Sequence, residues 1–155
     1  MKILIVEDDG NKLRALQSLV ASNFPDLPLE VARSLISGVD MTRRIHPDVV
    51  LLDMTLPSYD QSSFDDGGGM EPFGGVEFLR QMKRFKLTPS VLIVTQFETF
   101  GEDSSLKTRD QLSEELKSQY PMTYHGMLHY HASLDEWTSQ LTNFIRDRLT
   151  KAGNE

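Results

Sequence analysis

The stretch Lys2–Asp9 reads KILIVEDD: four apolar residues run straight into three carboxylates. A short uninterrupted apolar run containing Ile and Val is the pattern of a strand covered on both faces. The acids that close it do not belong to a core, because an unpaired carboxylate is costly to bury. A buried strand opening onto a charged edge is therefore the first constraint on the fold. Taken alone, Asp8 or Asp9 also suits the simpler task of capping the next helix.

The pattern returns twice. Asp48–Asp53, DVVLLD, is an apolar run ending in an acid, and Ser90–Thr95, SVLIVT, is one ending in a hydroxyl. In a parallel sheet joined by helical crossovers, the carboxyl ends of the strands share one edge. If the three strands are neighbours, Glu7, Asp8, Asp53 and Thr95 converge there.

The intervening segments supply the crossovers. In Gly10–Phe24, Leu13, Leu16, Leu19, Val20 and Phe24 fall on one helical face, with Asp9 or Asn11 available as cap. Pro25 and Pro28 stop that helix, and LEVA at 29–32 alternates as an edge strand does. Ser34 suits the cap of a second helix carrying Leu35, Val39 and Ile45, so the order is βαβαβ, a doubly wound α/β sheet. Val76–Phe85 reads as a short amphipathic helix and Leu106–Gln119 as an exposed one. Gly126–Tyr130 reads as the fifth strand. Ser133–Leu149 reads as the last helix, with a Ser133/Glu136 capping box and a buried stripe of Leu134, Trp137, Leu141, Phe144, Ile145 and Leu149. Lys151–Glu155 is expected to fray. Two stretches, 55–75 and 96–105, carry the Ser, Asp, Gly and Pro of turns and are expected to be irregular.

The remaining numbers exclude more than they specify. The chain has 155 residues, enough for one domain with a substantial core. A net charge of −7 argues against non-specific nucleic-acid or anionic-membrane binding. No apolar run is long enough to cross a membrane. With no cysteine there is no thiolate chemistry, and a cytoplasmic location is favoured.

Several carboxylates on one oxygen-rich edge suit a hard divalent cation, most simply Mg²⁺. An aspartate beside it can attack a phosphoryl group and form an aspartyl-phosphate, while the hydroxyl of Thr95 bonds a phosphoryl oxygen. Positioning and electrostatics would contribute most of the rate. Asp65 and Asp66 beside Gly67–Gly69 read as a solvated loop rather than a second cation site, and His125, His129 and His131 as partly exposed strand-end histidines rather than a metal cluster. The glycines are not a phosphate-binding loop, since no Gly-Lys-Ser/Thr follows.

ILIVEDD, DVVLLDMTLP and VLIVT together resemble the receiver domain of two-component response regulators, over roughly residues 1–150. The resemblance implies a five-stranded parallel sheet in order 2-1-3-4-5 with five helices. It implies Asp53 as phosphoacceptor and Thr95 as switch hydroxyl. It implies Mg²⁺ held by Glu7, Asp8, Asp53 and the backbone carbonyl of Thr55. The phosphoryl donor would be a histidine kinase or a histidine phosphotransfer protein, and the output a contact with a downstream protein. With no effector segment recognised, the chain reads as a stand-alone receiver. It would not be an enzyme beyond self-catalysed phosphotransfer and autodephosphorylation.

Three departures from that family stand out. The family's fifth strand ends in a lysine; here the segment is HGMLHYHAS, and Tyr130 takes that position, or His129 or His131 if the register slips by one. Gln96 follows Thr95 where the family has a small residue. The loops after Asp53 and Thr95 are each longer by about a dozen residues, a length usually reserved for function. The missing lysine and the long loops motivate an alternative: a pseudo-receiver that binds a protein partner without phosphorylation. A haloacid-dehalogenase-like phosphohydrolase is the weaker third reading, because Asp53-Met54-Thr55 lacks that family's second aspartate.

Overall fold

The computed structural model describes residues 1–60 and 70–153. Five strands form a parallel sheet: β1 (Ile3–Val6), β2 (Leu29–Ala32), β3 (Val49–Leu52), β4 (Ser90–Thr95) and β5 (Tyr124–His129), in order β2-β1-β3-β4-β5. Five helices connect and flank them: α1 (Gly10–Asn23), α2 (Leu35–Ile45), α3 (Gly74–Arg84), α4 (Arg109–Gln119) and α5 (Glu136–Gly153). The doubly wound sheet expected from the sequence is the one observed.

Successive side chains of a strand face opposite sides of a sheet, and this alternation sorts the core into two layers. Leu4, Val6, Val50, Leu52, Val91 and Ile93 pack with residues of α3 and α4, and α2 joins them. Ile3, Ile5, Val49, Leu51, Leu92 and Val94 pack with α1 and α5. Continued past the strand ends, the same alternation sends Glu7 and Asp53 to the α1 side and Thr95 to the other.

Most of the expected helix boundaries hold. Asp9 caps α1, its carboxylate accepting from the Lys12 N–H, and Ser34 caps α2. The last helix differs. It begins at Glu136, the Ser133 N–H donates to His131 Nδ1 instead, and Leu134 is exposed rather than part of the buried stripe. Its first turn is displaced because the chain leaving β5 is still bound to β4, through the Tyr130 N–H and the Thr95 carbonyl.

The two irregular stretches contain structure that turn-rich composition hid. Leu56–Pro57 pairs antiparallel with Met70–Glu71, and Thr99–Phe100 with Lys107–Thr108, the latter enclosing a 3-10 turn at Asp103–Ser105. The second pair takes the residues expected to open α4, which starts at Arg109 behind a capping box of Thr108 and Gln111. Asp65, Asp66 and Gly67–Gly69 lie outside the described residues.

β5 carries a bulge. Val91 pairs with Tyr124 but Leu92 with Gly126, so His125 is extra, and Gly126 adopts φ +147°, a backbone region that favours glycine. The shifted register ends with His129 opposite Thr95, and Tyr130 follows just beyond the strand.

Candidate functional site

β1 and β3 are neighbours in register, Val6 beside Leu52, so the residues that follow, Glu7 and Asp53, emerge side by side. The Asp53 N–H donates to the Val6 carbonyl and the Glu7 N–H to that of Ala32, which keeps both acids fixed to the sheet edge. Asp53 is 8 % exposed and Glu7 only 1 %. The turn after Asp53 is held from below by α3. The Gly75 N–H donates to the Met54 carbonyl, and a Cβ on Gly75 would lie 3.2 Å from the Asp53 carbonyl. Glycine there is what lets the helix seat against this turn.

Two buried acids need a counter-charge, and α1 supplies it. The Lys12 ammonium lies 2.7 Å from Glu7 Oε2 and 3.1 Å from Asp53 Oδ1. Lys12 is itself only 1 % exposed. These two carboxylate oxygens are buried and find no hydrogen-bond partner among the described residues, so the ammonium is the charge that answers them. Glu7 Oε1 accepts from the Asp9 N–H at 3.0 Å. Burial pushes the Glu7 carboxyl up to about 8, with the Lys12 ammonium pulling the other way and the Asp53 carboxylate adding to the rise.

Lys12 was not among the residues singled out from the sequence, although a signal existed. It stands four residues before Leu16 and eight before Val20, on the buried stripe of α1, at the end nearest Glu7. A lysine in the first turn of a helix also opposes the helix dipole, which disfavours cations there. Its place has a reason only if acids lie in front of it.

The other expected residues fall as follows. Thr95 is fully buried at the end of β4, and its Oγ1 accepts from the Phe97 N–H at 3.1 Å. Asp8 is half-buried, with its carbonyl accepting from Arg33, and Thr55 is half-buried two residues past Asp53. Gln96 is exposed, and its carbonyl meets His129 Nε2 at 3.3 Å. Tyr130 is buried with its ring against Trp137, centroids 5.0 Å apart, in the layer covered by α1 and α5. The segment from Tyr124 to Asp135 holds no lysine or arginine, so no ammonium reaches Asp53 from the end of β5 as it would from a lysine there.

The resemblance implies a divalent cation at this edge. The residues present do not fit it as they stand. The ammonium takes the space between Glu7 and Asp53, and among the described residues no three acidic or histidine side chains converge as a cation site. A dication about 4 Å from an ammonium would be repelled by roughly 8 kcal/mol at an effective dielectric near 20.

Comparison with known proteins agrees with the fold. No model of a protein family matches the chain. An uncharacterized protein of Sinorhizobium fredii, y4jR, is 38% identical over 145 residues, covering 92% of this chain and 95% of its own length. The Detocs response regulatory protein DtcB of Enterobacter cloacae is 32% identical over 149 residues, covering 95% and 99%. The chain belongs to the response regulator receiver family. The crystal structure of the phosphorylated cyanobacterial phytochrome response regulator RcpA superposes with a TM-score of 0.65 at 18% identity, covering 97% of this receiver and 94% of that chain. Among the described residues no helix of the receiver is long and apolar enough to cross a membrane.

Proposed function

We propose that this receiver accepts a phosphoryl group on Asp53 from a phosphohistidine of a partner protein, a histidine kinase or a phosphotransfer protein, and signals its state by protein–protein contact. The observation that carries the reading is the placing of Asp53. It is a nearly buried carboxylate at the end of the central strand, with the buried Thr95 hydroxyl at the end of the adjacent strand.

In the transfer, a carboxylate oxygen of Asp53 forms the new O–P bond as the N–P bond of the phosphohistidine breaks, and the imidazole leaves with a proton. The mostly buried surroundings keep water from competing for the phosphoryl group. The Thr95 hydroxyl accepts from the Phe97 N–H and keeps its own proton to give to a phosphoryl oxygen. A Thr95 drawn toward the phosphoryl group loosens its hold on Phe97, and with it the segment that pairs Thr99–Phe100 to Lys107–Thr108. The state of Asp53 then reaches the surface through that segment and α4.

The test is incubation with phosphoramidate, a small donor with the same N–P bond. Intact mass should show one added phosphoryl group on wild type and none on Asp53→Asn. Equal modification of both, or none on either, would remove Asp53 from this role.

A further inference from the structure

A lysine with both its ammonium contacts made to the acids of the phosphoryl edge is not explained by helix packing. A methionine or leucine would continue the α1 stripe of Leu13, Leu16 and Val20 without the cost of burying a charge. The lysine also stands in the first turn, where the dipole of α1 opposes it. The edge itself has a deficit: Tyr130 is turned into the core against Trp137, His129 meets the Gln96 carbonyl, and His131 accepts from the Ser133 N–H. The end of β5 has no lysine or arginine, and the start of α1 holds an ammonium whose ion-pair partners among the described residues are Glu7 and Asp53, 3.1 Å from Asp53 Oδ1.

We propose that Lys12 is the cation of the phosphoryl site, its ammonium supplying from the start of α1 the positive charge that no lysine or arginine at the end of β5 provides. The inference rests on Asp53 being the phosphoacceptor. Before transfer the ammonium holds the Asp53 carboxylate in place against Glu7. During transfer the phosphoryl oxygens bring further negative charge to the same spot, and a fixed ammonium at hydrogen-bond distance stabilises it without having to reorganise. Glu7 is then the positioning residue: at 2.7 Å from Nζ, it keeps the side chain extended toward the edge. The geometry also accounts for the absence of a three-carboxylate cluster among the described residues, because the ammonium stands where two of those acids would otherwise share a cation.

The chain has no cysteine, which permits a test by chemical replacement. Lys12→Cys is alkylated in denaturant with 2-bromoethylamine and refolded, giving a side chain of lysine's length that carries an ammonium. Alkylation with 1-bromopropane gives the neutral side chain of the same shape. Lys12→Gln, made directly, is a second neutral variant should the propyl adduct fail to refold; thermal unfolding confirms which proteins are folded. Phosphoryl acceptance from phosphoramidate is then followed by intact mass over a range of Mg²⁺ concentrations.

The expected result is that the aminoethyl protein accepts within a few-fold of wild type, while the folded neutral proteins are slower by roughly 100-fold or more, the scale of losing one preorganised donor. That deficit should persist at every Mg²⁺ concentration. Folded neutral proteins that accept as fast as wild type would overturn the inference and leave Asp53 as phosphoacceptor. Neutral proteins restored to the wild-type rate by Mg²⁺ would overturn it in favour of the metal as the site's cation. Wild type that accepts nothing would overturn both the inference and the reading beneath it.

Discussion

The stretch Glu7–Lys12 at the β1–α1 turn holds an acid, a helix cap and a cation, all aimed at one another. At the far side of the same edge, the end of β5 holds a tyrosine packed into the core and two imidazoles occupied with backbone groups. Both regions are strand ends followed by a helix. They differ in what the first helical turn offers. α1 starts directly after its acids and points a side chain back at them. α5 starts only at Glu136, after residues that remain tied to β4 and to each other. Electrostatic order at a sheet edge thus depends on how soon the next helix begins.

Removing the cation should break the contrast most severely. Lys12→Met leaves the buried Glu7 and Asp53 side chains without their cation and should cost about 3–5 kcal/mol, the range for losing one partner of a buried pair, read by urea unfolding. In the wild-type chain the same cluster has a pH signature. The folded chain keeps a proton on Glu7 that the unfolded chain releases from about 4.5 upward, so on this residue's account stability is greatest at low pH and falls as pH rises toward about 8. Glu7→Gln should flatten that slope; urea midpoints for both proteins between about pH 5 and pH 8 check it. A slope unchanged in the variant would show that another group carries it.

At the opposite side the effect should be smaller and of another kind. Tyr130→Leu should cost about 1–2 kcal/mol through lost packing on Trp137 and leave the rate of phosphoryl acceptance within about twofold. A large loss of acceptance with little loss of stability would mean that the tyrosine serves the site after all. Smallest should be Ser133→Ala, within about 0.5 kcal/mol, because α5 begins at Glu136, three residues beyond it. Thr108→Ala removes a capping box that is formed and should cost about 1 kcal/mol by the same measurement.

The sheet and its acidic edge were legible because three apolar runs each ended in a polar residue, a pattern that needs no tertiary information. Side-chain alternation would have placed Glu7 and Asp53 on the α1 side as well. What went unread was Lys12, hidden because a lysine in a helix is by default assigned to solvent, although its spacing from Leu16 and Val20 put it on the buried stripe. The start of α5 was misplaced for a different reason. Ser133 and Glu136 satisfy the local capping rule, but the bulge at His125 and the bond from Tyr130 to Thr95 decide where the chain is free to turn. Leu134 lost its buried place with that turn. The two short antiparallel pairs could not be read from turn-rich composition, since each is two residues long per strand and gains its order from the partner.

Reduction of the acyl phosphate identifies which carboxylate takes the phosphoryl group. Protein treated with phosphoramidate and then borohydride is digested and its peptides sequenced by mass. Homoserine is expected at position 53, with unaltered side chains at Glu7 and Asp8. Reduction at either of those acids, or at none of the three, would contradict Asp53 as phosphoacceptor.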